Sequence, residues 1–180
     1  MDYTATYEYV VSARKKPSYR LARALVLVGY VLYVVVLFTV GFATSILAPM
    51  LAIVPLTTWI LVFATWRYVS VEYEYSLTGG VMTLSKIYGG RTRRRIAEIV
   101  IKDATLIAPF EGDYIAQAER YAPERTVDLT ADLQRPNVYI MLYETAESRR
   151  GILYFEATEK ALRILYYYNR ATVLKELSEK

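Results

Sequence analysis

Cysteine and histidine are both absent from the 180 residues of this chain. Without them there are no disulfide frameworks, thiolate nucleophiles, imidazole bases or usual zinc ligands. Any chemistry would have to rest on carboxylates, lysines, tyrosines and serines. Zero cysteine fits either side of a membrane, so the redox compartment stays open. Charge is missing from one long stretch: the 43 residues from Ala24 to Trp66 contain no Asp, Glu, Lys or Arg. That stretch therefore offers no side chain to relay a proton or escort an ion. Glu111, Asp113 and Asp103 do not follow the calcium-loop template, and Gly79-Gly80 and Gly89-Gly90 lack the Lys-Ser/Thr and following helix of a phosphate-binding loop. No metal and no cofactor is expected, and no residue set nominates a catalytic site.

The uncharged stretch predicts a membrane hairpin. A hydrocarbon core of about 30 Å takes about 20 helical residues per crossing, which allows two crossings and a tight turn. The expected spans are about 18–43 and 47–67, within a hairpin at 18–67 that follows a cytoplasmic interfacial segment at 1–17 and precedes a cytoplasmic domain at 68–180. Pro17 breaks the preceding segment, and Ser18 is placed as the N-cap of the first span. Gly41 and Ser45 supply the turn, and Pro49 fits the first turn of the second helix. Pro55 predicts a kink that Thr57 and Thr58 compensate locally. A cleaved signal peptide fits poorly, because the apolar run starts late, lacks a small-residue cleavage site and runs into a second span. Ala48-x-x-x-Ala52 is a small-residue pair of the kind that lets helices approach, which makes a homo-oligomer one candidate partner.

Charge sets the orientation. Arg14, Lys15, Lys16, Arg20 and Arg23 precede the hairpin against Asp2 and Glu8. The chain's 22 basic and 18 acidic residues then leave 17 and 16 for the remainder, nearly neutral. Cations before the first span and after the second, with none in the turn, place both termini in the cytoplasm of a two-span protein of the cell membrane. The basic pI reports this flanking segment, and neither nucleic acid nor a small-molecule substrate is indicated.

Residues 3–16 place Tyr3, Tyr7, Val10 and Val11 at helical spacing and end in three cations. They read as a short interfacial helix, with an extended arm pairing with the soluble domain as the alternative. From Tyr68 to Thr78 the period becomes two: Val69, Val71, Tyr73, Tyr75 and Leu77 alternate with Ser70, Glu72, Glu74 and Ser76. Gly-Gly corners then bound strands at 81–88 and 91–97. Further strands are expected at 104–109, 126–130, 137–144 and 151–156, with a loop or short helix at 111–122. Thr158 caps a final amphipathic helix to Leu177, on which Leu162, Leu165, Tyr166, Val173 and Leu177 form a stripe.

The fold class is thus an α+β membrane protein, a two-helix transmembrane hairpin followed by seven antiparallel strands and a C-terminal helix. That order is similar to a pleckstrin-homology-like domain, in which the helix plugs one end of a bent sheet. A hairpin leading into VEYEYSLTGG, then RTRRR and IAEIVIKDATLIAP, resembles an uncharacterised family of small bacterial membrane proteins. More distantly it resembles bacterial membrane proteins with pleckstrin-homology-like domains. The resemblance covers essentially the whole chain and implies a fold and a location, but no catalytic residues.

The most suggestive cluster is Arg91, Arg93, Arg94 and Arg95, with Lys86 on the preceding strand. A strand through them points Arg91, Arg93 and Arg95 to one face and Arg94 to the other. Such cations can meet anionic lipid headgroups or a partner. The ordinary reading is a solvated strand edge balanced by Glu72, Glu74 and Glu98. The 18 tyrosines, concentrated at 68–88 and 166–168, serve either as half-buried sheet residues and interfacial anchors or as a binding surface. The expected function is a membrane-anchored, non-enzymatic module whose cytoplasmic domain binds a protein partner, a peptide strand or anionic headgroups. An accessory subunit of a membrane complex assembled through the hairpin, and a lipid-acting membrane enzyme, are the alternatives.

Overall fold

The computed structural model describes residues 6–12, 17–145 and 147–174. Strand β1 (Tyr7–Ser12) comes first, followed by the long helices α1 (Pro17–Ala43) and α2 (Leu47–Val69). Strands β2 (Val71–Thr78), β3 (Val81–Tyr88), β4 (Thr92–Val100) and β5 (Ala104–Pro109) lead to helix α3 (Asp113–Arg120). Strands β6 (Arg125–Asp128), β7 (Val138–Glu144) and β8 (Arg150–Glu156) then lead to α4 (Glu159–Tyr168).

The helices of 27 and 23 residues are about 40 and 35 Å long, long and apolar enough to cross a bilayer. Only 6% of the apolar stretch of each is buried inside the molecule, unlike the core helices of a water-soluble protein. They pack as an antiparallel pair, in which the hydroxyls of Tyr30 and Thr65 hydrogen-bond across the interface. The turn is at 44–46, with Ser45 at φ +59°. Gly41, expected in the turn, lies in α1 instead, where a Cβ would come within 2.9 Å of Met50 Cγ. The helix pair needs a missing side chain there more than the turn does. Ser18 lies inside the first turn because Pro17 already begins the helix, which suits a residue with no N–H to satisfy. Thr57 donates to the carbonyls of Ile53 and Val54 at 2.8 and 3.2 Å.

Eight strands, not seven, form two four-stranded sheets in the orders β1-β2-β3-β4 and β5-β7-β8-β6. The additional strand is β1. Residues 7–12 are therefore extended rather than an interfacial helix, and pair antiparallel with β2 from Tyr7↔Leu77 to Ser12↔Glu72. The segment is short enough to fit both periods. The free edge of β2 decides it, with Tyr7, Tyr9 and Val11 turned to the core and Glu8 and Val10 outward. Residues 3–5 and 13–16 of the expected helix lie outside the described residues. The β6–β8 pair is parallel, which departs from the all-antiparallel expectation.

The core lies between the sheets, around Tyr75, Leu84, Met141, Leu153 and Phe155, and Leu162 and Leu165 of α4 close it. Tyr75 and Phe155 meet edge to face at 5.7 Å, and the Tyr75 hydroxyl donates to the Glu156 carbonyl at 2.9 Å. Thr158 caps α4 by accepting from the Ala161 N–H. The helix stops at Tyr168, short of the expected Leu177. Asn169 Nδ2 donates to the carbonyls of Ile101 and Ala104, both at 3.0 Å, and Val173 forms a parallel bridge to Ile107. The backbone of 172–174 thus satisfies the free edge of β5, an outlet that continued helix would leave unused. Residues 175–177 of that expected helix lie outside the described residues.

Candidate functional site: the basic corner between β3 and β4

The corner is built by Gly89 and Gly90, both at positive φ (+58° and +67°), a region glycine enters without steric cost. Across it, Lys86 pairs with Arg94, Ile87 with Arg93 and Ser85 with Arg95. Beyond Ser85 the register shifts, so that Leu84 pairs with Ala97 and Ile96 is the extra residue of a bulge. The bulge changes the parity of β4. Strict alternation would put Arg93, Arg95, Ala97 and Ile99 on one face. With Ile96 inserted, the arginines point away from the core while Ala97 and Ile99 point into it. Arg125 of β6 donates from Nη2 to the Ile96 carbonyl at 2.7 Å, tying the second sheet to the bulge.

This geometry divides the basic cluster into three. Arg93 and Arg95, on the outer face, are ion-paired to Glu74 at 3.0 Å and Glu98 at 2.6 Å. They are the charge-balanced strand edge, with two of the three acidic partners expected for it. Lys86 and Arg94 lie on the opposite face, in a groove of about 450 Å³ that Arg95 also lines, shared with Tyr73, Arg125 and Asp128. Arg91 is not in the strand at all, because β4 begins at Thr92; its N–H donates to the Tyr88 carbonyl within the turn. Its guanidinium lies 5.5 Å above the ring of Phe63 in α2. Arg91 therefore does not share the face of Arg93 and Arg95.

Lys86 sits in an aromatic cage. Its ammonium is 5.0 Å from the ring of Tyr88, 5.9 Å from that of Tyr19 at the start of α1 and 6.0 Å from that of Tyr73. Burial pushes its pKa down, but hydrogen bonds to Tyr19 and Tyr88 outweigh this and hold it above the ordinary lysine value. The Tyr73 hydroxyl is pushed up by burial and by its hydrogen bond with Tyr19. Lys86 thus stays charged and fastens the first helix to the sheet. The tyrosines at 73 and 88 are half-buried packing residues with a polar tip, as the ordinary sequence reading expects. Tyr19 was the unread member of the cage, because no sequence spacing connects it to β3.

The end of α2 closes the corner. Ser70 is the single residue between α2 and β2, and its carbonyl accepts from the Gly89 N–H at 2.7 Å. A Cβ on Gly89 would lie 2.9 Å from Arg67 Cβ, so only glycine lets the corner approach the helix this closely. Arg23 Nε donates to the Val69 carbonyl at 2.9 Å and joins the two helices at the same level. Arg67, which sequence reasoning used only to orient the hairpin, is thereby brought beside Arg91. The ion pairs of the described residues engage Arg93, Arg95, Arg135, Arg149 and Arg163, so Arg67, Arg91 and Arg94 have no carboxylate partner among the described residues.

No curated protein and no solved structure matches the chain. A family described as Bacterial PH-like domain (DUF6106) does, over residues 5–175, a region that takes in β1, both apolar helices and both sheets. With the match running across nearly the whole sequence, and with two packed sheets closed by a C-terminal helix, this chain belongs to that bacterial PH-like domain family.

Proposed function

We propose that the protein is a membrane-anchored, non-enzymatic binding module. In this reading α1 and α2 cross the cell membrane as a hairpin, both termini lie in the cytoplasm, and the PH-like domain is held against the inner leaflet. There it binds anionic lipid headgroups through Arg91 and Arg94. The carrying observation is the interruption of the β1–β2 pair by the two apolar helices. The domain is tied to both ends of the hairpin, and the arginine-bearing corner lies at that same end of the sheet. Arg20 and Arg23 before the first helix and Arg67 after the second support the cytoplasmic side, as does the lack of charge in the turn. Each cation near an anionic leaflet gains about 1 kcal/mol. The chain's lack of histidine and cysteine supports the non-enzymatic reading.

Hydrogen exchange on the full chain in nanodiscs tests this. Amides of residues 86–95 should exchange more slowly when phosphatidylglycerol replaces phosphatidylcholine at low salt. Raising the ionic strength should remove the effect, because the screening length shortens to about 3 Å at 1 M. Arg91→Gln with Arg94→Gln should remove it as well. Identical exchange in the two lipids would sink the headgroup reading and leave a protein partner as the occupant of this corner.

A further inference from the structure

Between the last turns of α2 and the β3–β4 corner runs a groove of about 610 Å³ whose two ends differ in chemistry. One end is aromatic. Trp59 and Phe63 stack with ring centroids 5.9 Å apart and planes 23° apart, and Trp66 lines the same groove. Toward the other end Arg67 and Arg91 line it; the Arg91 guanidinium lies over Phe63, and that of Arg67 lies 4.8 Å over the ring of the adjacent Tyr68. Trp59, Phe63, Trp66 and Arg67 follow the spacing of one helical face. From Trp59 to Arg67 the face rises about 12 Å along the axis. Trp59 and Phe63 are 66% and 60% exposed, so nothing among the described residues covers this wall.

We propose that this groove seats one phospholipid of net negative charge, with its phosphate between Arg67 and Arg91 and an acyl chain along Trp59 and Phe63. The inference rests on the membrane-anchored reading above and adds a defined site and stoichiometry to it. Charge complementarity selects the head. Arg67 donates to the Tyr68 hydroxyl at 2.8 Å and keeps further N–H groups, and Arg91 has no carboxylate partner among the described residues. A guanidinium fork matches a phosphate bidentately, and two on one groove wall can share its oxygens. The wall selects the tail, since a soluble anion would leave the aromatic face bare and a purely apolar occupant would leave two cations without a counter-charge. Gly89 lets Arg91's corner approach Arg67, because any side chain there would push the corner off Arg67.

The chain's two tryptophans, Trp59 and Trp66, both line the groove, so its intrinsic fluorescence reports on the site. The full chain is placed in nanodiscs of phosphatidylcholine and phosphatidylglycerol, with bromines on the acyl chains of one lipid or the other. Brominated phosphatidylglycerol should quench about fivefold more effectively than brominated phosphatidylcholine at equal mole fraction. Arg67→Gln with Arg91→Gln should abolish the preference, whereas Arg67→Lys with Arg91→Lys should retain part of it and Arg95→Gln all of it. Equal quenching by both lipids in the unaltered chain would overturn the lipid seat while the membrane anchor stands. Quenching by neither would overturn both, and a preference surviving the double Gln change would overturn the assignment of the two arginines.

Discussion

Glu74 carries a carboxylate whose side chain is only 4% exposed, facing an Arg93 that is 57% exposed at 3.0 Å. Burial raises the Glu74 pKa, and the attraction of Arg93 offsets this only in part. The fold therefore favours the protonated carboxyl. Its contribution to stability is full below the ordinary value of 4.5 and is lost as pH rises through the higher folded value. Glu74→Gln should keep a hydrogen-bonding partner for Arg93 while removing the cost of a buried charge. At pH 7 the variant should be as stable as the parent or more so, by up to about 1 kcal/mol. Its thermal midpoint in detergent should rise less on acidification than the parent's. Arg93→Gln should do the reverse, lowering stability at pH 7 by about 1–2 kcal/mol and little at pH 4, where Glu74 needs no counter-ion. A pH-independent loss in Arg93→Gln would show that the arginine acts through packing alone. Either way Arg93 is separated from Arg91 and Arg94, which have no carboxylate partner among the described residues.

At the level of elements, the unusual connection is the one between β1 and β2. Neighbouring antiparallel strands are ordinarily joined by a few residues, and here the join contains two helices. The domain should accordingly fold without them. Replacing residues 13–70 by a turn of about four residues should give a water-soluble monomer that unfolds cooperatively. A fragment starting at Val71 should be less stable and prone to association. It loses the burial of Val11 (4% exposed), worth about 2 kcal/mol, and the Tyr9–Tyr75 contact at 5.5 Å. It also bares the edge of β2. Equal thermal midpoints for the two proteins would show that β1 adds nothing to the fold. The same elements mark what was legible in the sequence. β3 at 81–88 and β5 at 104–109 fall at their expected bounds, the first because Gly-Gly corners punctuate the chain at both ends. β1 was legible only as an alternative, since six residues fit a helix or a strand equally and the deciding partners lie 60 to 70 positions away. The bulge at Ile96 left no local mark, yet it decides that Arg93 and Arg95 face away from the core that Ala97 and Ile99 enter. The split of Arg94 from Arg93 and Arg95 follows from strand alternation in the sequence, whereas the removal of Arg91 from that strand does not.

For the whole molecule, the pairing of Ser12 with Glu72 constrains more than the fold. Adjacent residues of one sheet must lie on the same side of any membrane, so the segment between them has to cross it an even number of times. Two crossings satisfy this with the lengths observed, and a single long span or one crossing plus an interfacial helix does not. The even count is independent of the charge argument, which alone assigns the side. The absence of cysteine makes the side measurable, because one introduced thiol is the only one in the protein. Ser45→Cys, in the exposed turn between α1 and α2, should react in intact cells with a membrane-impermeant maleimide. Gln134→Cys, exposed in the loop before β7, should react only after the cells are permeabilised. The opposite pattern would place the PH-like domain outside and remove the cytoplasmic leaflet as its ligand. Equal reactivity of both thiols in intact cells would mean that the helix pair does not cross the bilayer.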